Sequence, residues 1–318
     1  MPEPLNPGHN RFDRYRLDRH RSGVWAWRAL LAGGGYWAAG RLGLAFPTLS
    51  PYISLFWPAL GLALAVLVRW GNAQIPALFV GSVLVNLSSD APLWLALMIG
   101  FGNIGAAWMA AHWLRRNGLN LRLDQRRDIW RVVVAGGVGS SVLTAANGCA
   151  WLAVAGLLNP LDLSLGSLRW WMGDLLGVLV TAIPLLCTRR DTWPTLLASA
   201  QRWSTPGLMV LAALAIVAAF ALQTQVDLPS ISLLILPPLM LSVCAMRSGL
   251  AVASTAVLLL TLGMFSATAL GWGPFVSHPA DSGLTTLWAY CLGLAGLVLL
   301  PHAHLSELTR LEERWSLA

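Results

Sequence analysis

The sequence predicts an all-α integral membrane protein, a polytopic bundle of about ten transmembrane helices (eight to ten) with both termini cytoplasmic. Three observations lead there. Of 318 residues, 56% are hydrophobic and only 11% charged, whereas a soluble domain of this size carries about a quarter charged residues. Apolar runs close to the roughly 20 residues that a helix needs to cross the hydrocarbon core recur along the chain. The 21 basic residues, all arginine, cluster in alternate loops, as the positive-inside rule requires.

The elements follow in order. Residues 1–23 form a basic cytoplasmic arm carrying Arg11, Arg14, Arg16, Arg19 and Arg21. The arm is too polar for a secretory signal, and Arg28 interrupts the apolar stretch that a cleaved signal needs, so an uncleaved anchor is expected. The transmembrane region, 24–301, divides into spans at 24–46, 51–69, 73–88, 91–113, 130–157, 168–187, 206–222, 230–246, 249–271 and 283–301. The third and seventh are short, and Pro237–Pro238 could split the chain differently, which brings the lower counts into range. Arg69 follows the second span. Arg115, Arg116, Arg122, Arg126, Arg127 and Arg131 follow the fourth, Arg189, Arg190 and Arg202 the sixth, Arg247 the eighth, and Arg310 and Arg314 the tenth. The opposite loops hold Asp90, Asp162, Asp227 and Asp281, with Arg169 as their one basic residue. A multi-pass protein of the bacterial inner membrane fits this pattern, and the formal charge of +7 needs no nucleic acid to explain it.

Little in the chain suggests catalysis. The four cysteines lie in or beside apolar segments without metal spacing and read as buried free thiols. His302 and His304 lack a third ligand. GGVGSS (136–141) lacks the lysine and strand context of a phosphate loop and reads as small residues for close helix contact. Neither an enzyme nor a cofactor is expected. Pro58, Pro184, Pro237 and Pro238, in or near span interiors, predict kinks.

The informative residues are polar ones at membrane depth. The run 169–186 reads RWWMGDLLGVLVTAIPLL. A carboxylate at mid-membrane costs about 2.5–3.5 kcal/mol unless it has a partner or a wet cavity, so Asp174 calls for one or the other. It lies roughly 9 Å inside the sixth span. Arg41 lies at similar depth in the first span and is the candidate ionic partner. Trp57 shares that level, Asn86 lies near the outer end of the third span, and Asn103 lies near the middle of the fourth. Ser140, Thr144, Asn147 and Trp151, spaced 4, 3 and 4, form one stripe on the fifth. Trp170, Asp174 and Thr181 share a face of the sixth, with Trp171 beside them. Two readings follow: an Arg41–Asp174 pair that fixes packing, or a polar cavity open to the periplasm. The cavity would be lined by Trp57, Asn103, Asn147, Asp174 and Arg41, and would receive a small ligand, a lipid or a membrane protein partner.

After Pro301 the chain reads HAHLSELTRLEERWSLA. Leu308, Leu311, Trp315 and Ala318 have the 3–4–3 spacing of a two-stranded seam, so 302–318 is expected to begin a cytoplasmic signalling helix.

The order of YWAAGRLGLAF, ISLFWPALGLALAVLVRWG, GNIGAAWMAAHWLRR and RWWMGDLLGVLVTAIPLL resembles the MASE family of bacterial membrane-associated sensor domains, in its first-described type. The resemblance covers about residues 24–300 and is most specific at WPALG and WWMGDLLGVLVTAIPLL. Trp57, Pro58, Gly61, Asn103, Trp171, Gly173, Asp174, Gly177 and Pro184 fall on the motif positions. Ala106 stands where the family pattern often has an acidic residue. The resemblance implies a sensor domain ahead of a diguanylate cyclase, of the kind used in cyclic-di-GMP signalling, or of a histidine kinase. The final RWSLA looks like the opening of a PAS domain. Because these outputs act as dimers, the signalling helix is expected to pair with its twin. A secondary transporter of a small solute is the alternative from another class, although no inverted repeat is evident between the halves.

Overall fold

The computed structural model of the chain describes residues 9–46, 51–123, 125–188, 204–222, 234–276 and 280–316. Loop residues Arg189, Arg190, Arg202 and Asp227 lie outside them. Regular structure among the described residues is all helical. It comprises α1 (His9–Leu44), α2 (Pro58–Trp70), α3 (Ile75–Leu87), α4 (Leu93–Arg116), α5 (Arg126–Val154), α6 (Pro160–Cys187), α7 (Ser204–Leu222), α8 (Leu236–Ser248), α9 (Leu250–Ala269) and α10 (Ala280–Ser316). Among the described residues, α4, α5, α6, α9 and the Ser282–His302 part of α10 are each long and apolar enough to cross a membrane. Helices α2 and α3, with the 209–221 part of α7, are apolar but shorter. The chain is an all-helical integral membrane domain.

Helix α6 is the axis of the bundle. Its apolar stretch is 89% buried, against 39–50% for the other long spans. A helix that is apolar or small all round belongs inside, where every face can be covered. Helices α2 and α5 flank it, α4 packs on both of those, and α3 and α1 close the outer side. On the opposite side α9 packs on the last turns of α6, and α10 touches α6, α8 and α9. The outward faces expose Leu30, Val80, Phe101, Val142 and Leu259, a coat suited to lipid tails rather than water.

Most of the described arginines gather at one end. The Arg28 guanidinium lies 5.7 Å from the ring centre of Trp70, and Arg115 donates to Asn72 Oδ1 at 2.5 Å. Arg69 donates to the carbonyls of Thr188, at 2.7 Å, and Leu185, closing the C-terminus of α6. Trp25, Trp27, Trp113 and Trp130 are exposed near this end, and Trp94 and Trp272 near the other. Aromatic belts have this distribution.

The second span departs from expectation. Helix α2 begins only at Pro58, and residues 51–57 are non-helical although Ile53, Ser54, Leu55 and Phe56 are almost fully buried. Pro58 is therefore not a kink. It opens the helix, where a missing N–H costs nothing, and Pro237 does the same for α8. Irregular backbone at membrane depth survives only when protein covers it and satisfies its polar groups. Here the cover is the glycine face of α6. The Trp57 N–H donates to the Gly173 carbonyl at 3.0 Å, and Ser54 Oγ accepts from Phe56 N–H at 3.2 Å. A Cβ on Gly173 would stand 2.0 Å from the Ser54 carbonyl oxygen, and one on Gly177 would stand 1.9 Å from that of Trp57. A Cβ on Gly61 of α2 would likewise stand 2.4 Å from the Gly177 carbonyl oxygen.

Two helices also widen to a looser, π-type winding, α5 over Val132–Gly139 and α6 over Val178–Ala182. The widened segments lie against each other. The second ends just ahead of Pro184, which has no N–H to return to the preceding turn. Gly136 and Gly137 face Leu64 and Leu175, each within 3 Å of where a Cβ would stand, so the GGVGSS run does serve close helix contact. At the far end, α10 continues without interruption through Pro301 to Ser316. Leu308 is exposed on it. Leu311 and Trp315 belong to the same helix, but their side chains lie outside the described ones.

Gly177→Ala should destabilise the protein in detergent by about 1–3 kcal/mol or prevent folding, because neither backbone can withdraw. Gly105→Ala, with nothing within 4 Å of the new methyl, should leave thermal stability unchanged or raise it. Melting curves of the two variants check the contrast.

Candidate functional site

Beside the backbone crossing of 51–57 over α6 lies a cleft. It is lined by Leu44, Tyr52, Ser54, Trp57, Asn86, Ile99, Asn103, Trp170 and Asp174, from α1, the non-helical segment, α3, α4 and α6. The free space within it for the centre of a water molecule is ≈ 10 Å³, which is about what one water needs. The cleft therefore has room for about one water, and anything larger must reach outside it or shift a side chain.

Asp174 is 1% exposed. The Thr144 hydroxyl of α5 donates to its Oδ2, and that hydroxyl also lies 3.0 Å from the Ser141 carbonyl. The Trp170 indole, one turn away on α6, stands close enough to donate as well. Gly148 of α5 makes room for it, since a Cβ there would fall 2.3 Å from the Trp170 ring. Asn103 is 2% exposed. Its Nδ2 donates to the Tyr36 hydroxyl at 3.5 Å, while its Oδ1 has no partner. Asn86 donates through Nδ2 to the Ser82 carbonyl at 2.9 Å. Tyr52 donates to the Ser89 carbonyl at 3.0 Å, tying the non-helical segment to the end of α3.

Five of the residues singled out from sequence thus meet at one place: Trp57, Asn86, Asn103, Trp170 and Asp174. The expected Arg41–Asp174 pair does not form. Arg41 is exposed, and its guanidinium donates to the Ser88 carbonyl at 2.8 Å. Asp174 makes no ion pair with any described residue. Equal depth left the direction of each side chain open, and Arg41 points to the end of α3 instead. Asn147 is also not in the cleft. It bridges α5 to α4, donating to the Met98 carbonyl at 3.1 Å and accepting from the Trp151 indole at 3.2 Å. Gly102 lies under it, with a Cβ position only 2.0 Å from its amide nitrogen. Ser140 folds back on the Gly136 carbonyl of its own helix. Thr181 is buried against Gly61 with its hydroxyl unpartnered, and Trp171 packs into the apolar core.

The MASE1 family model matches residues 28–307. The chain belongs to the MASE1 family. Comparison with curated proteins and with solved structures finds no match. MASE1 is a family of membrane sensor domains, so this is a membrane-embedded sensory domain, and its match spans the whole bundle from Arg28 into α10. Within the MASE1 domain the cleft brings together the two most specific motifs of the sequence, WPALG through Trp57 and WWMGDLLG through Trp170 and Asp174.

Sequence reasoning missed Tyr36, Tyr52 and Ser54. Tyr36 is fully buried with its hydroxyl within reach of Ser82, Asn103 and Trp57, and a tyrosine inside an apolar span was the signal that could have found it. Tyr52 and Ser54 were hidden by the helical reading of 51–57.

A double-mutant cycle separates the two candidate partners of Asp174. Thr144→Val with Asp174→Asn should show a coupling of about 0.5–3 kcal/mol in thermal unfolding, whereas Arg41→Gln with Asp174→Asn should be additive within about 0.5 kcal/mol.

Proposed function

We propose that this chain is the input domain of a bacterial signalling protein, and that occupancy of the Asp174 cleft is what it reports. Its ten helices are taken to cross the inner membrane with both termini in the cytoplasm, so that the cleft opens toward the periplasm and the arginine-rich end lies inside. The output is a cytoplasmic domain reached through residues 302–318, with a diguanylate cyclase behind a PAS domain as the first choice and a histidine kinase as the second. The domain itself catalyses nothing in this scheme. It works as a homodimer joined along the signalling helix.

One observation carries the reading. The Trp288 indole of α10 donates to the Met172 carbonyl of α6 at 2.7 Å. Met172 lies two residues from Asp174, and α10 is the same helix that runs on to Ser316. A shift of α6 at the cleft therefore acts directly on the helix that leaves the bundle. Allosteric coupling needs such an element, one that both sites can bias. The glycine contacts between 51–57 and α6 add to this, because backbone packed on backbone moves as a unit.

Trp315→Cys protomers should crosslink in native membranes. Asp174→Asn should change the crosslinking rate by about fivefold or more. Trp288→Phe should remove that response without unfolding the domain. Absence of inter-protomer crosslinks, together with solute counterflow in proteoliposomes, would instead favour a transporter.

A further inference from the structure

The chemistry of the cleft is one-sided. Among the described residues, the one buried side-chain polar atom of its lining without a partner is an acceptor. Asn103 Oδ1 is buried and unpartnered. Asp174 has the Thr144 hydroxyl on one oxygen, the Trp170 indole within reach, and no cation among the described residues. Asn86 donates one amide N–H to the Ser82 carbonyl and keeps its oxygen and its second N–H for the cleft. The nearby guanidinium of Arg41 is held outside, on the Ser88 carbonyl. The remaining walls are the aromatic rings of Tyr52, Trp57 and Trp170, whose faces attract cations and give an anion nothing. A carboxylic ligand would face Asp174 directly. A neutral apolar one would leave the buried acceptors unmet, which costs more than an exposed polar group does.

The geometry points to a primary ammonium group as the ligand of this cleft, its –NH3+ seated between Asp174 and Asn103 and its substituent extending past Tyr52 and Trp57 to the mouth. Its N–H donors can reach the Asp174 carboxylate and the unpartnered Asn103 Oδ1. The free space, about that of one water, suits –NH3+ better than a quaternary ammonium, which is larger and has no N–H to offer. The same headgroup occurs on free amines and on ethanolamine phospholipids, and with the cleft opening toward the periplasm, as proposed above, either could reach it. This inference rests on the reading of the cleft as the sensory site and supplies the class of its signal.

The test uses the chain in nanodiscs of phosphatidylcholine and phosphatidylglycerol, with ethylammonium as the probe and thermal stability and titration calorimetry as readouts. Ethylammonium should bind saturably and raise the melting temperature, with ethanol and tetramethylammonium at least about tenfold weaker. Asp174→Asn should abolish binding. Asn103→Leu, on a different helix, should weaken it by about tenfold, which keeps the test valid if Asp174→Asn does not fold. Replacing part of the lipid with phosphatidylethanolamine should compete with ethylammonium if the natural source is the lipid, and leave its affinity unchanged if the source is a solute. Equal binding of ethanol, or ethylammonium binding that survives both substitutions, would overturn the assignment. If ethylammonium fails to bind while Asp174→Asn still alters Trp315→Cys crosslinking, the ammonium assignment falls and the sensory reading stands. If both fail, both fall.

Discussion

The structure depends on a contact between two backbones. Residues 54–57 cross α6 at Gly173 and Gly177, and Gly61 meets the same Gly177 carbonyl one turn further on. With any side chain at these positions the two backbones would have to move apart by about an ångström or more. The non-helical segment would then lose the cover that lets it exist away from water. With glycine, the segment is held by the Trp57–Gly173 hydrogen bond and by dispersion along its length. Its position in turn sets Trp57 and Ser54 beside Asp174. The cleft is thus a by-product of close packing. Irregular backbone leaves a gap that regular helices would have filled, and polar side chains from α3, α4 and α6 line it.

The same contact explains why α6 tolerates a carboxyl. Asp174 is almost fully buried: α5 supplies the Thr144 hydroxyl, Trp170 lies one turn away, and the 51–57 segment lines the same cleft. A polar group inside a membrane protein is expensive when it faces hydrocarbon, and far less so when it faces other polar groups in a packed interior. The looser winding of α5 and α6 just below this level fits that picture, since such segments release backbone groups and recur at functional places in helices.

Much of this was legible in the sequence, and the limits have physical causes. Apolar run length reports helix location well, and the helices fall close to the predicted spans, because lipid-facing and core-facing positions are both apolar and only length and flanking arginines matter. The break before Pro58 was not legible. Residues Ile53, Leu55 and Phe56 are as apolar as any helix, and what unwinds them is a glycine face more than a hundred residues away. Depth placed Trp57, Asn103 and Asp174 together correctly but also suggested Arg41 for Asp174, because depth carries no information about direction around the helix axis. The stripe Ser140–Thr144–Asn147 failed differently. Its residues do share a face, but a helical face is wide enough to touch two neighbours. Thr144 turns to α6 while Asn147 turns to α4.

On the proposed reading, occupancy of the cleft must also be felt elsewhere, and the distance from the cleft to α10 is short. The carbonyl of Met172 receives the Trp288 indole within the same helical turn that carries Gly173, with its Ser54 contact, and Asp174. Any change that lets 51–57 rise from α6, or turns Asp174 away from Thr144, must rotate or translate this turn, since glycine contacts at these separations leave no slack to absorb it. The Trp288 bond then has to follow or break. Because α10 is one continuous helix from the level of the cleft to Ser316, displacement at Trp288 carries to the far end of the bundle with little loss. A stiff, backbone-packed site and an unbroken exit helix are the two properties that turn a small rearrangement at one end of a membrane domain into motion at the other.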